Sequence, residues 1–165
     1  MTIGLDRVWA GWRADYLTEA TGPGRDADAA CVLCRVVADG TAVIWLGERV
    51  AAIVNAYPYT AGHLMVVPRR HVGELEDVTG DEAAELWSSV ARAVRALKGA
   101  YRPDGLNVGA NLGRAGGAGV PGHFHVHVVP RWDGDTNFMT TVAEARVVPE
   151  ALPVSLARIR TAWPA

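Results

Sequence analysis

The chain has 165 residues, half of them hydrophobic, and a formal net charge of -2. That length suits one globular domain with its own core, since domains commonly run to roughly 100–150 residues. The near-neutral charge gives no global basic surface for nucleic acid, and no run of about 18 apolar residues offers a membrane span.

In chain order, residues 1–30 read as an aromatic arm with Trp9, Trp12 and Tyr16, followed by a polar loop from Thr21 to Asp28. Trp9 and Trp12 are read as packing residues. The first residues lack an apolar core of signal-peptide length, which points to the cytoplasm. The two cysteines, Cys31 and Cys34, stand as a CxxC pair. Residues 43–54 hold apolar runs broken at Gly47 to Arg49, the pattern of two antiparallel strands joined by a tight turn. After a loop through Tyr57, Pro58, Tyr59 and Gly62, His63 to Val67 forms a strand closed by Pro68. Thr79, with Glu82 three residues on, predicts a capping box that opens a helix. Leu86, Val90, Val94 and Leu97 supply that helix with an apolar stripe, and Pro103 and Gly105 end it. Leu106 to Asn111 and His123 to Val129 read as strands, the second closed by Pro130. Between them, Gly113 to Gly122 is too rich in glycine for regular structure. Leu152 to Trp163 is a final short helix with Pro153 in its first turn. Strands, helix and strands in this order predict an α+β fold around an antiparallel sheet of about five strands.

The chemistry concentrates in His123-Phe124-His125-Val126-His127. Residues alternate faces along a strand, so His123, His125 and His127 share one face while Phe124, Val126 and Val128 enter a core. Such a row suits covalent and acid–base catalysis, because one neutral imidazole can attack while a neighbour donates. Other readings are a solvated strand face, a metal site made of all three histidines, or buried histidines satisfied by hydrogen bonds. The glycines just before the row let backbone N–H groups approach an anion, as in a phosphate nest. A merely flexible loop is the plainer reading. Gly117 to Gly122 fits the dinucleotide fingerprint only in letters, because it leads into a strand and not a helix.

Cys31 and Cys34 supply half of a tetrahedral zinc site. The competing readings are a redox pair, which normally opens a helix in a thioredoxin-like βαβ unit, and two unligated buried thiols. His71, after Arg69 and Arg70, reads on its own as an exposed polar residue. Asp133, Asp135 and Asn137 read as a turn, since a calcium loop needs a glycine and a distant glutamate. Arg131 either meets phosphate or caps the strand end.

The HxHxHxx run at His123 to Val129 resembles the signature of the histidine-triad (HIT) family. The resemblance takes in Asn55-Ala56-Tyr57-Pro58, Gly62 to Pro68 and the Thr79–Tyr101 helix. Trp9 to Arg13 and Trp132 to Met139 resemble the branch related to diadenosine tetraphosphate phosphorylases. The resemblance implies a dimeric HIT-like domain over 31–140, with an arm at 1–30 and an extension at 141–165 packed on it. It implies an enzyme in which His125 attacks an α-phosphorus, forms a nucleotidyl-histidine and is released by water or phosphate. His127 would bind and polarise a phosphoryl oxygen, and His63 would orient the imidazoles. Asn55 would contact the ribose, Asn111 the phosphate or bridging oxygen, and the backbone of Gly117, Ala118, Gly119 and Val120 the α-phosphate. Relatives with the CxxC imply structural zinc on Cys31, Cys34, His71 and His123, which would remove His123 from proton transfer. Magnesium can arrive with the nucleotide substrate.

The expected reaction is phosphorolysis of diadenosine tetraphosphate to ADP and ATP. A nucleoside phosphoramidate hydrolase, a non-catalytic nucleotide-binding protein and a metal-dependent hydrolase are the alternatives. The chain has Gly119 and Val120 where many hydrolase members carry glutamine or serine. The leaving-group contact and the acceptor therefore stay open.

Overall fold

The computed structural model describes residues 31–135 and 150–164. The expected aromatic arm, Asn137 and most of the Trp132 to Met139 stretch lie outside these residues. The described chain runs α1 (Val32–Asp39), β1 (Val43–Leu46), β2 (Val50–Val54), β3 (Leu64–Pro68), a 3-10 turn (Leu75–Asp77), α2 (Gly80–Tyr101), β4 (Gly105–Gly109), β5 (Val126–Arg131) and α3 (Leu152–Ala162). The five strands form one antiparallel sheet in the order β1-β2-β3-β5-β4. The expected α+β architecture is present. Among the described residues, no helix is long and apolar enough to cross a membrane.

The sheet is covered on both faces where β2 and β3 run, and every residue of those two strands is buried. Alternation sorts them. Val50, Ala52, Val54, Leu64 and Val66 pack with Leu86, Val90, Ala93 and Leu97 of α2 and Ile159 of α3. Ala51, Ile53, Met65 and Val67 point the other way, against Leu33 and Cys31 at α1. Period two in the strands and period 3.6 in α2 thus meet in one core.

The predicted capping box opens α2. Thr79 Oγ1 accepts the Glu82 N–H at 3.3 Å, and Glu82 Oε2 accepts the Thr79 N–H at 2.9 Å. Arg70 also grips Glu82, at 2.9 and 2.8 Å, and holds its pKa down to about 2. This pair ties the chain just after β3 to the start of α2. At the other end, Trp163 stacks on Trp45 at 5.9 Å, and the Arg92 guanidinium lies 4.4 Å over the Trp45 ring. These contacts fasten α3 across β1.

Four expectations need correction. The helix α1 was not predicted, yet it opens directly at the cysteine pair. Strand β5 begins at Val126 and not at His123. Its ladder to β3 ends at Val66 opposite Val126, and Phe124 N–H turns instead to Val72 O at 2.6 Å. Pro130 lies within β5 and does not close it, paired with Leu106 of β4. The ladder to β3 stops at Val128, so no donor is missed on that side. The outer strand β4 likewise ends at Gly109, two residues short of Asn111.

Candidate functional site

The histidine face is set by β3. Met65 lies opposite His127 in the ladder, and Met65 belongs to the α1 face. Phe124, Val126 and Val128 enter the core on the α2 face. His125 and His127 stand edge to face, with ring centroids 4.9 Å apart, and His63 meets His127 at 5.1 Å. The rings of His63 and His125 are buried with about 2% and 4% of their surface exposed. This excludes a solvated face.

Hydrogen-bond partners determine which ring nitrogen carries each proton, because a backbone N–H can only donate and a carbonyl can only accept. His125 Nδ1 lies 2.7 Å from His123 O, so Nδ1 is the protonated nitrogen and Nε2 keeps its lone pair. The Tyr59 N–H donates to His63 Nδ1 at 3.0 Å. His63 Nε2 then carries the proton and donates to His127 Nδ1 at 3.0 Å. That leaves the His127 proton on Nε2. One ring thus presents a lone pair on Nε2 and its neighbour an N–H on Nε2.

Burial lowers the His125 pKa, opposed by its bond to the His123 carbonyl. Burial first, then repulsion from His125, lowers that of His127 to about 4. Both rings are neutral at pH 7. A polyphosphate beside His127 would pull its pKa back up, since an opposite charge favours the imidazolium.

His123 turns away from this pair. Its Nε2–H donates to Pro68 O at 2.9 Å, so the lone pair is on Nδ1. That nitrogen lies 3.4 Å from both Cys31 Sγ and Cys34 Sγ, and His71 Nδ1 lies 3.4 Å from Cys34 Sγ. The four ligand atoms all fall within 4.8 Å of one another. Tetrahedral zinc with bonds of about 2.3 Å to sulfur and about 2.0–2.1 Å to nitrogen needs S···N edges of about 3.6 Å. The four residues fit such an ion, and they could bind a metal. The CxxC opens a helix, α1, as a redox pair would. No βαβ unit follows, however, and both sulfurs face imidazoles. Among the described residues this is the only group of three or more histidine, cysteine or acidic side chains with metal-binding geometry.

The glycine loop is folded on itself. A Cβ at Gly116 would sit 2.2 Å from Leu112 O, and Gly117 takes a φ of +88°, so neither position accepts a side chain without rearrangement. The Gly117 and Ala118 N–H groups donate to Arg114 O at 2.9 Å and Gly113 O at 3.2 Å. Those two expected phosphate donors are therefore used within the loop, which leaves Gly119 and Val120. Asn111 Nδ2–H donates to Gly117 O at 3.2 Å and closes the loop. Asn55 Oδ1 accepts the Tyr57 N–H at 2.9 Å, while Nδ2 sits 3.3 Å from both nitrogens of His63. Asn55 is thus engaged with the imidazole of His63. Arg131 pairs with Asp135 at 2.6 Å and closes the turn after β5, consistent with the strand-end reading.

Sequence reasoning missed Tyr59, whose backbone sets the His63 tautomer and whose ring lies 4.6 Å from His63 and 5.9 Å from His127. No spacing rule exposes a main-chain donor in a loop. It also missed Val72, whose carbonyl holds Phe124.

A model of the HIT domain matches residues 39–134. An "AP-4-A phosphorylase" of Mycobacterium tuberculosis is 42% identical over 96% of this chain and 85% of its own length. Among solved structures, a zinc-bound histidine triad family protein from Mycobacterium smegmatis superposes with a TM-score of 0.68, at 29% identity over 82% of this chain and 94% of its own. A hypothetical histidine triad nucleotide-binding protein from Sulfolobus tokodaii gives 0.67, at 29% identity over 80% and 91%.

Proposed function

Because the chain belongs to the histidine-triad (HIT) family, we propose that His125 carries a nucleotidyl group between a dinucleoside polyphosphate and inorganic phosphate. The chain is a HIT-type nucleotidyl hydrolase or phosphorylase. The observation that carries the finer reading is the 2.7 Å bond from His125 Nδ1–H to His123 O, which leaves Nε2 as a lone pair on a neutral ring. Nε2 attacks the α-phosphorus of diadenosine tetraphosphate. The P–N bond forms, the P–O bond to the remaining triphosphate breaks, and ATP leaves with the electron pair. Phosphate then attacks the same phosphorus, the P–N bond breaks, and ADP departs with His125 regenerated. Splitting one displacement into two lowers each barrier, and phosphoryl transfer depends chiefly on positioning and on charge stabilisation.

His127 Nε2–H meets the departing or non-bridging oxygen, held in that tautomer by His63 and Tyr59. Gly119 and Val120 offer amides to the α-phosphate at the exit of the glycine loop. Asn111 acts by holding that loop, and Asn55 by ordering His63 beside the ribose. Cys31, Cys34, His71 and His123 hold a structural zinc ion, with four protein ligands and no open position for substrate. None of these roles draws on a magnesium ion. The domain at 31–140 pairs with a second copy, supported by the outer strand β4, whose exposed Val108 precedes an exposed Leu112. The setting is cytoplasmic.

The acceptor is tested by incubating enzyme and diadenosine tetraphosphate with and without phosphate and identifying products. ADP plus ATP, formed only with phosphate, is the expected result. AMP plus ATP at an unchanged rate with or without phosphate would make the enzyme a hydrolase.

A further inference from the structure

We infer that the Cys31–Cys34–His71–His123 cluster, with zinc bound, positions the nucleophile: it clamps the 123–124 peptide unit, whose carbonyl keeps the proton of His125 on Nδ1. The inference rests on His125 being the nucleophile, as proposed above.

One peptide plane carries both contacts. Its C=O is that of His123 and accepts from His125 Nδ1 at 2.7 Å. Its N–H is that of Phe124 and donates to Val72 O at 2.6 Å. Val72 directly follows His71, and His123 is itself a cluster member. Two of the four ligands therefore flank the plane, one in each of the two segments that meet at the Phe124–Val72 bond. The His123 ring is fully buried and fixed at its other nitrogen by Pro68 O at 2.9 Å. Phe124 anchors the far side of the plane in the helical core.

The regular ladder does not supply this rigidity, because β5 pairs with β3 only from Val126 onward. The residues that set the nucleophile's tautomer lie just outside the sheet, where side-chain ligation replaces ladder bonds. If the ligands separate, the His71 and His123 segments part. The carbonyl can then rotate from His125, and the ring is free to carry its proton on Nε2, where it has no lone pair to attack with. Orienting a reactive imidazole through a hydrogen-bonded partner in this way is worth about tenfold to a hundredfold in activity.

The test uses the full chain with 15N-labelled imidazoles. Long-range nitrogen–proton spectra report each tautomer in zinc-loaded protein and in protein stripped with a chelator, with circular dichroism checking the fold. Loaded protein should show His125 as a single Nδ1–H tautomer. Folded, stripped protein should show tautomer averaging at His125, and a kcat lower by about tenfold to a hundredfold with KM changed by less than about twofold. An unchanged His125 tautomer and kcat after stripping would overturn the inference.

If stripping unfolds the chain, His71→Asn supplies the second arm, since it leaves three ligands for zinc and frees the Val72 side of the clamp. Averaging at His125 in folded His71→Asn supports the coupling, and a fixed Nδ1–H tautomer refutes it. The nucleophile reading fails separately. In that case His125→Ala keeps its turnover while the tautomer of His125 in the unmutated chain still responds to zinc.

Discussion

His123 and His127 lie four residues apart, both on the α1 side of their segment, yet they meet different neighbours. His123 is fully buried, its two nitrogens directed at a carbonyl and at two sulfurs. His127 is half-buried, backed by His63 and Tyr59, and carries its proton on Nε2. Alternation along a strand determines the face a side chain occupies. The neighbours that meet it there determine whether it binds metal or handles a proton. His125 lies between the two, its Nδ1–H bonded to the carbonyl of His123 and its ring against that of His127.

The comparison breaks most sharply at His125. His125→Ala should lower kcat by roughly 10^4-fold or more while zinc content and melting temperature hold, since only the catalytic end is touched. Steady-state kinetics beside metal analysis checks this, and a folded variant with undiminished turnover ends the covalent mechanism. Cys31→Ser attacks the other end. It should release zinc, destabilise the fold by about 3 kcal/mol or more, and lower turnover through the shared peptide. Zinc retained at one per chain in this variant would contradict the assigned ligand set.

His63→Ala should lower kcat by about a hundredfold with zinc unchanged, because His127 loses the donor that sets its tautomer. Equal kcat in variant and parent would remove the relay from the account. The smallest effect is on stability. The folded pKa of His127, about 4, lies below its ordinary value of 6.5, so between these pH values the unfolded chain binds a proton that the folded chain does not. This contribution is complete above pH 6.5 and is lost as pH falls toward 4. Urea midpoints should decline across that window, and less so in His127→Gln. Glu82, held at about 2 by Arg70, adds its own loss only below about pH 4.5.

Much of this was legible in the residues. Thr79 and Glu82 announced the start of α2, and alternation placed Phe124, Val126 and Val128 in the core. The CxxC raised half a zinc site, and the family resemblance brought His71 and His123 to it. Less legible was α1. Its apolar residues Leu33, Val36 and Val37 have helical spacing, but a helix of eight residues without a side-chain cap rests on packing and not on propensity. The start of β5 was misplaced because apolar alternation continues through His123 and Phe124 after the ladder to β3 has ended. Tyr59 and Val72 contribute through main-chain atoms, which carry no residue-specific signal. The glycine loop announced close backbone approach but not which amides its own turns would consume.

The most direct measurement is intact-protein and peptide mass spectrometry after brief mixing with diadenosine tetraphosphate and rapid quenching, phosphate being withheld. The account predicts an acid-labile adduct of one AMP group on the peptide containing His125, absent in His125→Ala and discharged as ADP when phosphate is added. Turnover with no adduct at any quench time, or an adduct on another residue, would contradict it.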